Sequence, residues 1–341
     1  FVSAVCCWIN WGFGLVIGAL LAKEIAKQVK GVDYRLLIAS AYSGFVVWHG
    51  GMSGSIPLGV AAVGADGLVA NTGGVITEAI PTSLTIFSPM NLVISAIIII
   101  GLPFVCRAMM PDKEHTIEVD AALLVEDAEK VYKIETPADK LEHSRIIWAI
   151  VLILGFAYII YNIALNKLNS LNLNFVNFIF MFAGILLHGN LKRYIDAFAD
   201  SAKSCSGILL QFPFYAGIQG MMTGAVAGVS LAGVISTFFV GIATTTTFPL
   251  FTFLSAGIVN FFVPSGGGQW AVQGPIMMPA GLEIGVPAAK TAMAIAWGDA
   301  WTNMIQPFWA LPALGIAGLS AKDIMGYCVI TLIFSGIVIG A

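Results

Sequence analysis

Asp299 is the residue of this 341-residue chain that packing explains least. It lies inside the apolar run 290–314, where a carboxylate is expensive to keep and marks function by default. Its chemistry there would be to hold a cation or a proton. A second titratable group, His49, stands in Trp48-His49-Gly50-Gly51-Met52-Ser53-Gly54-Ser55. It changes charge near neutral pH, or it simply donates one hydrogen bond. Small and polar residues cluster in four places: Asn10, Gly12 and Gly14; Gly50, Gly51 and Ser53; Ser265, Gly266, Gly267, Gly268 and Gln269; and Thr302 with Asn303. Such sets suit a small carboxylate. Backbone N–H groups at a helix start point at the anion, aided by a dipole of about half a charge. Glycine lets the backbone approach, and Ser, Asn or Gln adds side-chain donors. Carbonyls freed where a helix unwinds can hold a transient Na⁺.

Plainer readings stand beside these. Single glycines serve close helix packing. Asp299 can be a hydrogen-bond anchor. Trp48, Trp270, Trp297 and Trp301 read as packing walls and an apolar lining suited to a short acyl tail. Thr244-Thr245-Thr246-Thr247 reads as a polar turn. Three adjacent glycines at 266–268 beside Pro264 are harder to assign to one helix contact. No cofactor or resident metal is expected. Cys6, Cys7, Cys106, Cys205 and Cys328 form no CxxC pair and have no His at ligand spacing. No Ser/His/Asp set or phosphate loop is convincing, so the chain does not read as an enzyme.

The elements that must position these residues are membrane spans. Hydrophobic residues make up 58% and charged ones 10%, against about 25% charged in a soluble domain. So little charge cannot cover a water-facing surface, which makes lipid the solvent. A net charge of −3 with no basic stripe excludes nucleic acid as a partner class. A span needs about 20 apolar residues. Candidates are 84–105, 146–166, 172–189, 205–228 and 323–341, with 34–58 and 290–314 long enough but interrupted. Residues 1–22 and 246–280 carry helix-stopping clusters, Asn10-Trp11-Gly12-Phe13-Gly14 and Pro264 to Gln269. Non-helical backbone at membrane depth survives only inside protein or beside a wet cavity. Both stretches are therefore expected to be re-entrant hairpins.

Placing 23–33 in the cytoplasm puts 14 Lys and Arg inside and only Lys167 and Lys290 outside, as the positive-inside rule asks. Loop 107–145, with ten acids and six bases and the run Glu126 to Lys130, reads as a solvated linker with a short surface helix. Residues 190–203 read as an amphipathic interfacial helix. Phe1-Val2-Ser3-Ala4 echoes Phe253-Leu254-Ser255-Ala256, Ala39-Ser40-Ala41-Tyr42 echoes Ala294-Ile295-Ala296-Trp297, and Pro57 falls on Pro312. Hairpin, linker, broken span and further span recur in the same order with opposite orientation. That is an inverted-topology repeat, whose interruptions point to a transporter's binding site at the bilayer midplane.

The motifs also resemble the short-chain fatty acid uptake family, the bacterial acetoacetate and butyrate carriers. The resemblance rests on Trp8 to Val16, Asp33 to Ala39, Gln211 to Gln219, Phe262 to Trp270, Gln306 to Pro312 and Asp323 to Cys328, nearly the whole length. It implies a mobile transport domain, an elevator-like motion and a homodimer. It further implies about a hundred residues ahead of Phe1, in keeping with a start inside an apolar run without Met.

The expectation is therefore an all-α integral membrane protein with inverted-topology repeats, two re-entrant hairpins and two broken transmembrane helices. Its parts are a first repeat (1–105), a polar cytoplasmic loop (106–145), connecting helices with the interfacial arm (146–204) and a second repeat (205–341). Its partners are a small organic anion, a coupling cation (H⁺ or Na⁺) and the lipid of a bacterial inner membrane. The expected function is symport of short-chain fatty acids. The alternatives are a carrier for another organic anion, such as a di- or tricarboxylate, and a cation/proton antiporter. The scarcity of basic residues near the motifs favours a monocarboxylate.

Overall fold

The computed structural model describes the chain except residues 63–69, 121–131, 172, 205 and 227. The acidic run Glu126 to Lys130 and Cys205 lie outside the described residues. Among the described residues every regular element of the chain is a helix, as apolar runs of about 20 residues favour. Its helices in order are α1 (Val2–Ile9), α2 (Trp11–Gln28), α3 (Tyr34–Ser43), α4 (Ser55–Ala61), α5 (Pro89–Ala108), α6 (Pro137–Glu142), α7 (Arg145–Asn166) and α8 (Leu173–His188). There follow α9 (Leu191–Ser204), α10 (Ser206–Thr223), α11 (Leu231–Ile242), α12 (Phe248–Phe262), α13 (Gly266–Glu283), α14 (Ala288–Thr302), α15 (Leu311–Ala317) and α16 (Ala321–Gly340). Two compact units emerge: Phe1–Leu124 with Gly207–Ala341, and Val125–Ser206.

Three stretches among the described residues are long and apolar enough to cross a membrane: Pro89–Ala108, Pro137–Asn166 and Ala321–Gly340. A fourth arises if Asn174–His188 and Leu191–Lys203, bent by 119°, form one broken span.

In the first unit both predicted interruptions are real. The run 34–58 is α3, a tighter 3₁₀ segment Gly44–Gly50, a turn at Gly51–Gly54, and α4. The run 290–314 is α14, a break at 303–306, a 3₁₀ turn Pro307–Ala310, and α15. Both helix-stopping clusters make helical hairpins, α1–α2 around Asn10 and α12–α13 around Pro264-Ser265. Helix caps set these turns. Asn10 accepts from the Phe13 N–H at 3.0 Å, and Ser265 accepts from the Gly268 N–H at 3.4 Å. The first hairpin closes on a small-residue seam. A Cβ at Gly14 would stand 2.3 Å from the Cys7 nitrogen, and one at Gly18 would stand 2.7 Å from Ser3 Oγ. Gly14 thus stands in close helix packing.

The packing partners cross over. Helix α2 packs on α3 and α15, while α13 packs on α14 and α4. Each hairpin thus touches the leading half of one broken helix and the trailing half of the other. Two buried cores follow this division. One joins Ala4, Tyr42, Phe45 and Trp48 with Trp297 and Phe308. The other joins Ile56 and Val60 with Trp270, Met277 and Ile295.

The start of loop 107–145 is tied down rather than free. Ile117 O accepts from the Tyr34 N–H at 2.8 Å. Asp33 Oδ2 accepts from the Ile117 N–H at 3.0 Å, and Glu118 accepts from the Gly31 N–H at 2.6 Å. These bonds bring the loop to the α2–α3 turn. Such a meeting requires both segments to lie on one side of a membrane.

In the second unit α7 and α8 pack through Leu152, Ile159, Phe175 and Phe182. The Trp148 indole donates to Ile185 O at 2.8 Å. The short helix α6 lies within the polar loop and starts with a reciprocal Thr136/Asp139 cap. Helix α9 occupies the expected amphipathic stretch, and there Lys192 lies 3.4 Å from Asp196 and 3.5 Å from Glu142.

Candidate functional site

The site forms where the two breaks meet, and its centre joins residues 250 positions apart. His49 Nδ1 lies 3.1 Å from Asp299 Oδ1, and both side chains are buried. The Ile56 N–H donates to His49 Nε2 at 3.0 Å. An Nε2 that accepts carries no proton, so the imidazole is neutral, with its hydrogen on Nδ1 donated to Asp299. Asp299 Oδ2 is buried and has no hydrogen-bond partner. The carboxylate is therefore anchored on one side and bare on the other.

A net of single polar residues supports this pair. The Trp48 indole donates to Asn303 Oδ1 at 3.1 Å and joins the two breaks. Tyr42 Oη donates to Asn303 O at 2.7 Å. Asn91, on α5, donates to Gly50 O at 2.8 Å and accepts from the Trp297 indole at 3.0 Å. Gly50 must be glycine here, since a Cβ would meet the Trp297 ring at 2.5 Å. Asn260, on α12, donates to Asp299 O at 2.8 Å and to Thr302 Oγ1 at 2.9 Å. Thr302 in turn donates to Gly257 O at 2.9 Å. Its hydroxyl is spent between α12 and α14.

Both hairpin tips reach the breaks. At the first tip the Met52 N–H donates to Trp8 O at 2.7 Å. Ser53 Oγ accepts from the Trp11 N–H at 2.9 Å. Gly51 is pressed against the tip, where a Cβ would stand 2.1 Å from Trp8 O. Asn10 turns back onto its own helix through Phe13, and Gly12 has open space beyond Asn10. At the second tip the Trp309 indole donates to Pro264 O at 2.9 Å. Gly266 rests on the His49 ring, with its would-be Cβ 2.7 Å from Cε1. Gly267 is exposed, with nothing near its would-be Cβ. The first N–H groups of α13 have no intrahelical acceptor, so those of Gly266 and Gly267 are available to an anion. Gln269 turns inward and donates to Ala256 O at 3.0 Å and to Gln273 Oε1 at 2.5 Å.

The structure thus brings His49, Asp299, Gly50, Asn303 and Gly266 into one neighbourhood, with Ser265 and Gly267 at the same tip. Ser53, Gly51 and Asn10 brace the first tip, and Gln269, Thr302 and Gly14 face packing partners. Sequence reasoning did not single out Asn91 or Asn260. The signal for both was a lone amide in an otherwise apolar helix, which a membrane interior tolerates only with partners. Nor did it single out Tyr215 and Gln219. They line a small pocket against Pro264 and Ser265, with Phe212 and Phe308 as its other walls. No group of three or more His, Cys, Asp or Glu suited to a metal ion occurs among the described residues.

Apolar spans, two broken helices and a buried carboxylate at their meeting point define a multi-pass membrane transport protein. The chain belongs to the short chain fatty acid transporter family, whose model matches residues 1–341. A relative from Escherichia coli K12 is 47% identical over 341 residues, 99% of this chain and 75% of the relative. One from Haemophilus influenzae is 46% identical over 343 residues, 98% of this chain and 75% of the relative. Both bear the name "Putative short-chain fatty acid transporter". A more distant Escherichia coli protein, "Putative basic amino acid antiporter YfcC", is 34% identical over 98 residues, 27% of this chain and 19% of its own length. No solved structure matches the chain.

Proposed function

We propose that this protein is a symporter that moves short-chain fatty acid anions, acetoacetate and butyrate among them, across a bacterial inner membrane with H⁺ or Na⁺. The observation that carries the reading is the bare, buried Oδ2 of Asp299, whose partner His49 packs against Gly266 at the glycine tip of α13. A carboxylate stripped of water on one side lowers its free energy by taking a proton or a cation. The substrate carboxylate takes the N–H groups of Gly266 and Gly267, with Ser265 as a further donor. Like charges held in one buried neighbourhood repel, so the anion binds better once Asp299 is neutralised. Coupling then follows as reciprocal linkage between the two ligands.

His49 positions Asp299 and fixes which oxygen stays free. The exchanged pairing of hairpins and half-helices supports an inverted repeat with the two hairpins re-entering from opposite sides. A homodimer belongs to the same reading, and its test is the mass of the detergent-purified protein by light scattering. The function is tested by radiolabelled butyrate and acetoacetate uptake into proteoliposomes. A Na⁺ gradient and a pH gradient are imposed in turn. Concentrative uptake under one gradient is the expected result and names the coupling ion. Uptake blind to both would remove symport, and displacement of butyrate by di- or tricarboxylates would move the cargo class.

A further inference from the structure

The pocket beside the second tip contains chemistry that carboxylate binding does not use. On α10, Phe212, Tyr215, Ala216 and Gln219 recur at the spacing of one helix face. All four line the pocket with Ser265 and Phe308. Gln306 sets the polarity of this face. Its Oε1 accepts from the Phe308 N–H at 2.9 Å, which turns its Nε2 toward Tyr215 Oη at 2.6 Å. Nε2 is a donor only, so Tyr215 receives that bond through its oxygen and keeps its own O–H to give. Gln219 leans on the tip, its Oε1 3.1 Å from where a Cβ on Gly268 would stand. The two aromatic walls, Phe212 and Phe308, meet edge to face at 5.6 Å.

We infer that this pocket is the acyl subsite and that Tyr215 is a specificity-determining residue, donating its O–H to the 3-oxo oxygen of a short 3-oxo carboxylate. The inference rests on the substrate class proposed above. With the carboxylate at Gly266 and Gly267, the tail enters the pocket at Ser265. The oxo oxygen meets Tyr215, and the methyl end meets Phe212 and Phe308. A saturated acid of the same length leaves the phenol without an acceptor and binds more weakly. The aromatic pair limits how long a tail fits.

Uptake of acetoacetate and butyrate by wild type and Tyr215→Phe in proteoliposomes tests this. Loss of one neutral hydrogen bond is expected to raise the acetoacetate KM about tenfold while the butyrate KM holds. Because butyrate uptake continues, it reports that the variant is folded. In Phe212→Ala, hexanoate is expected to become a competitor where wild type rejects it. Equal changes for both acids in Tyr215→Phe, or no change for acetoacetate, would overturn the role of Tyr215 while leaving the transporter reading intact. If Tyr215→Phe transports neither acid, Phe212→Ala decides alone, and continued rejection of hexanoate overturns the subsite. A wild type that transports neither acid defeats the transporter reading and this inference together.

Discussion

The two hairpin tips are built from similar residues, a helix-stopping cluster with glycines and a small polar cap, yet they end in opposite states. The first tip is closed. Ser53 takes the Trp11 N–H, Asn10 takes the Phe13 N–H, and the turn at Gly51–Met52 is locked onto Trp8 O. The second tip is open. Gly267 faces empty space and α10 leaves a pocket beside Ser265. That tip is held by Trp309 on Pro264 O, by Gly266 on the His49 ring and by its own Ser265 cap, but no side chain takes the Gly267 face. Donors spent on the protein stabilise it, and donors left free are available to a ligand. In this chain the division falls between the tips, so glycine at one is a packing necessity and at the other leaves an open face.

Four substitutions sharpen or break that contrast. Gly51→Ala forces a methyl group into the Trp8 backbone, which cannot yield as a side chain does. A loss of about 3 kcal/mol or more is expected, seen as poor recovery of folded protein and a lowered Tm in detergent. A Tm equal to wild type would show that the first tip is not locked. Asp299→Asn keeps an acceptor for His49 but removes the charge. Gradient-driven accumulation should vanish, while exchange of substrate across the membrane partly survives. Unchanged accumulation would take Asp299 out of coupling.

Gly267→Val is the open-tip counterpart of Gly51→Ala. It should leave stability within the usual scatter of a surface change, about 0.5 kcal/mol, read as an unchanged Tm. It should raise the KM for butyrate about tenfold or more through lost charge-assisted bonds. Full activity would mean that substrate does not approach this tip. The smallest effect belongs to Ser53→Ala. It leaves the Trp11 N–H unpaired and should cost about 1 kcal/mol of stability with KM unchanged. A changed KM with unchanged Tm would reverse the assignment of the two tips.

The breaks and hairpins were legible because they are local. Asn10-Trp11-Gly12 and Pro264-Ser265-Gly266 stop helices by the properties of those residues, wherever the chain goes next. Asp299 and His49 were legible as oddities, since each is titratable within an apolar run. Their pairing was not legible, because no periodicity connects positions 250 apart. Gln269, Thr302 and Asn10 read as ligand donors from type alone, but donors are interchangeable in sequence. Only their surroundings decide whether Ala256 O, Gly257 O or a substrate receives the bond. Asn91 and Asn260 passed unmarked for the converse reason: a single amide scarcely alters the hydropathy of its span.

Composition alone determined that this chain lives in lipid, and its glycine and proline clusters determined where its helices cannot continue. These outcomes follow from solvation and backbone sterics, which act residue by residue. The tertiary structure decided which half-helix meets which hairpin, which oxygen of Asp299 is left bare, and which of two similar tips stays open. Those outcomes depend on close packing among distant segments. A shift of one helical turn would hand each donor to a different acceptor.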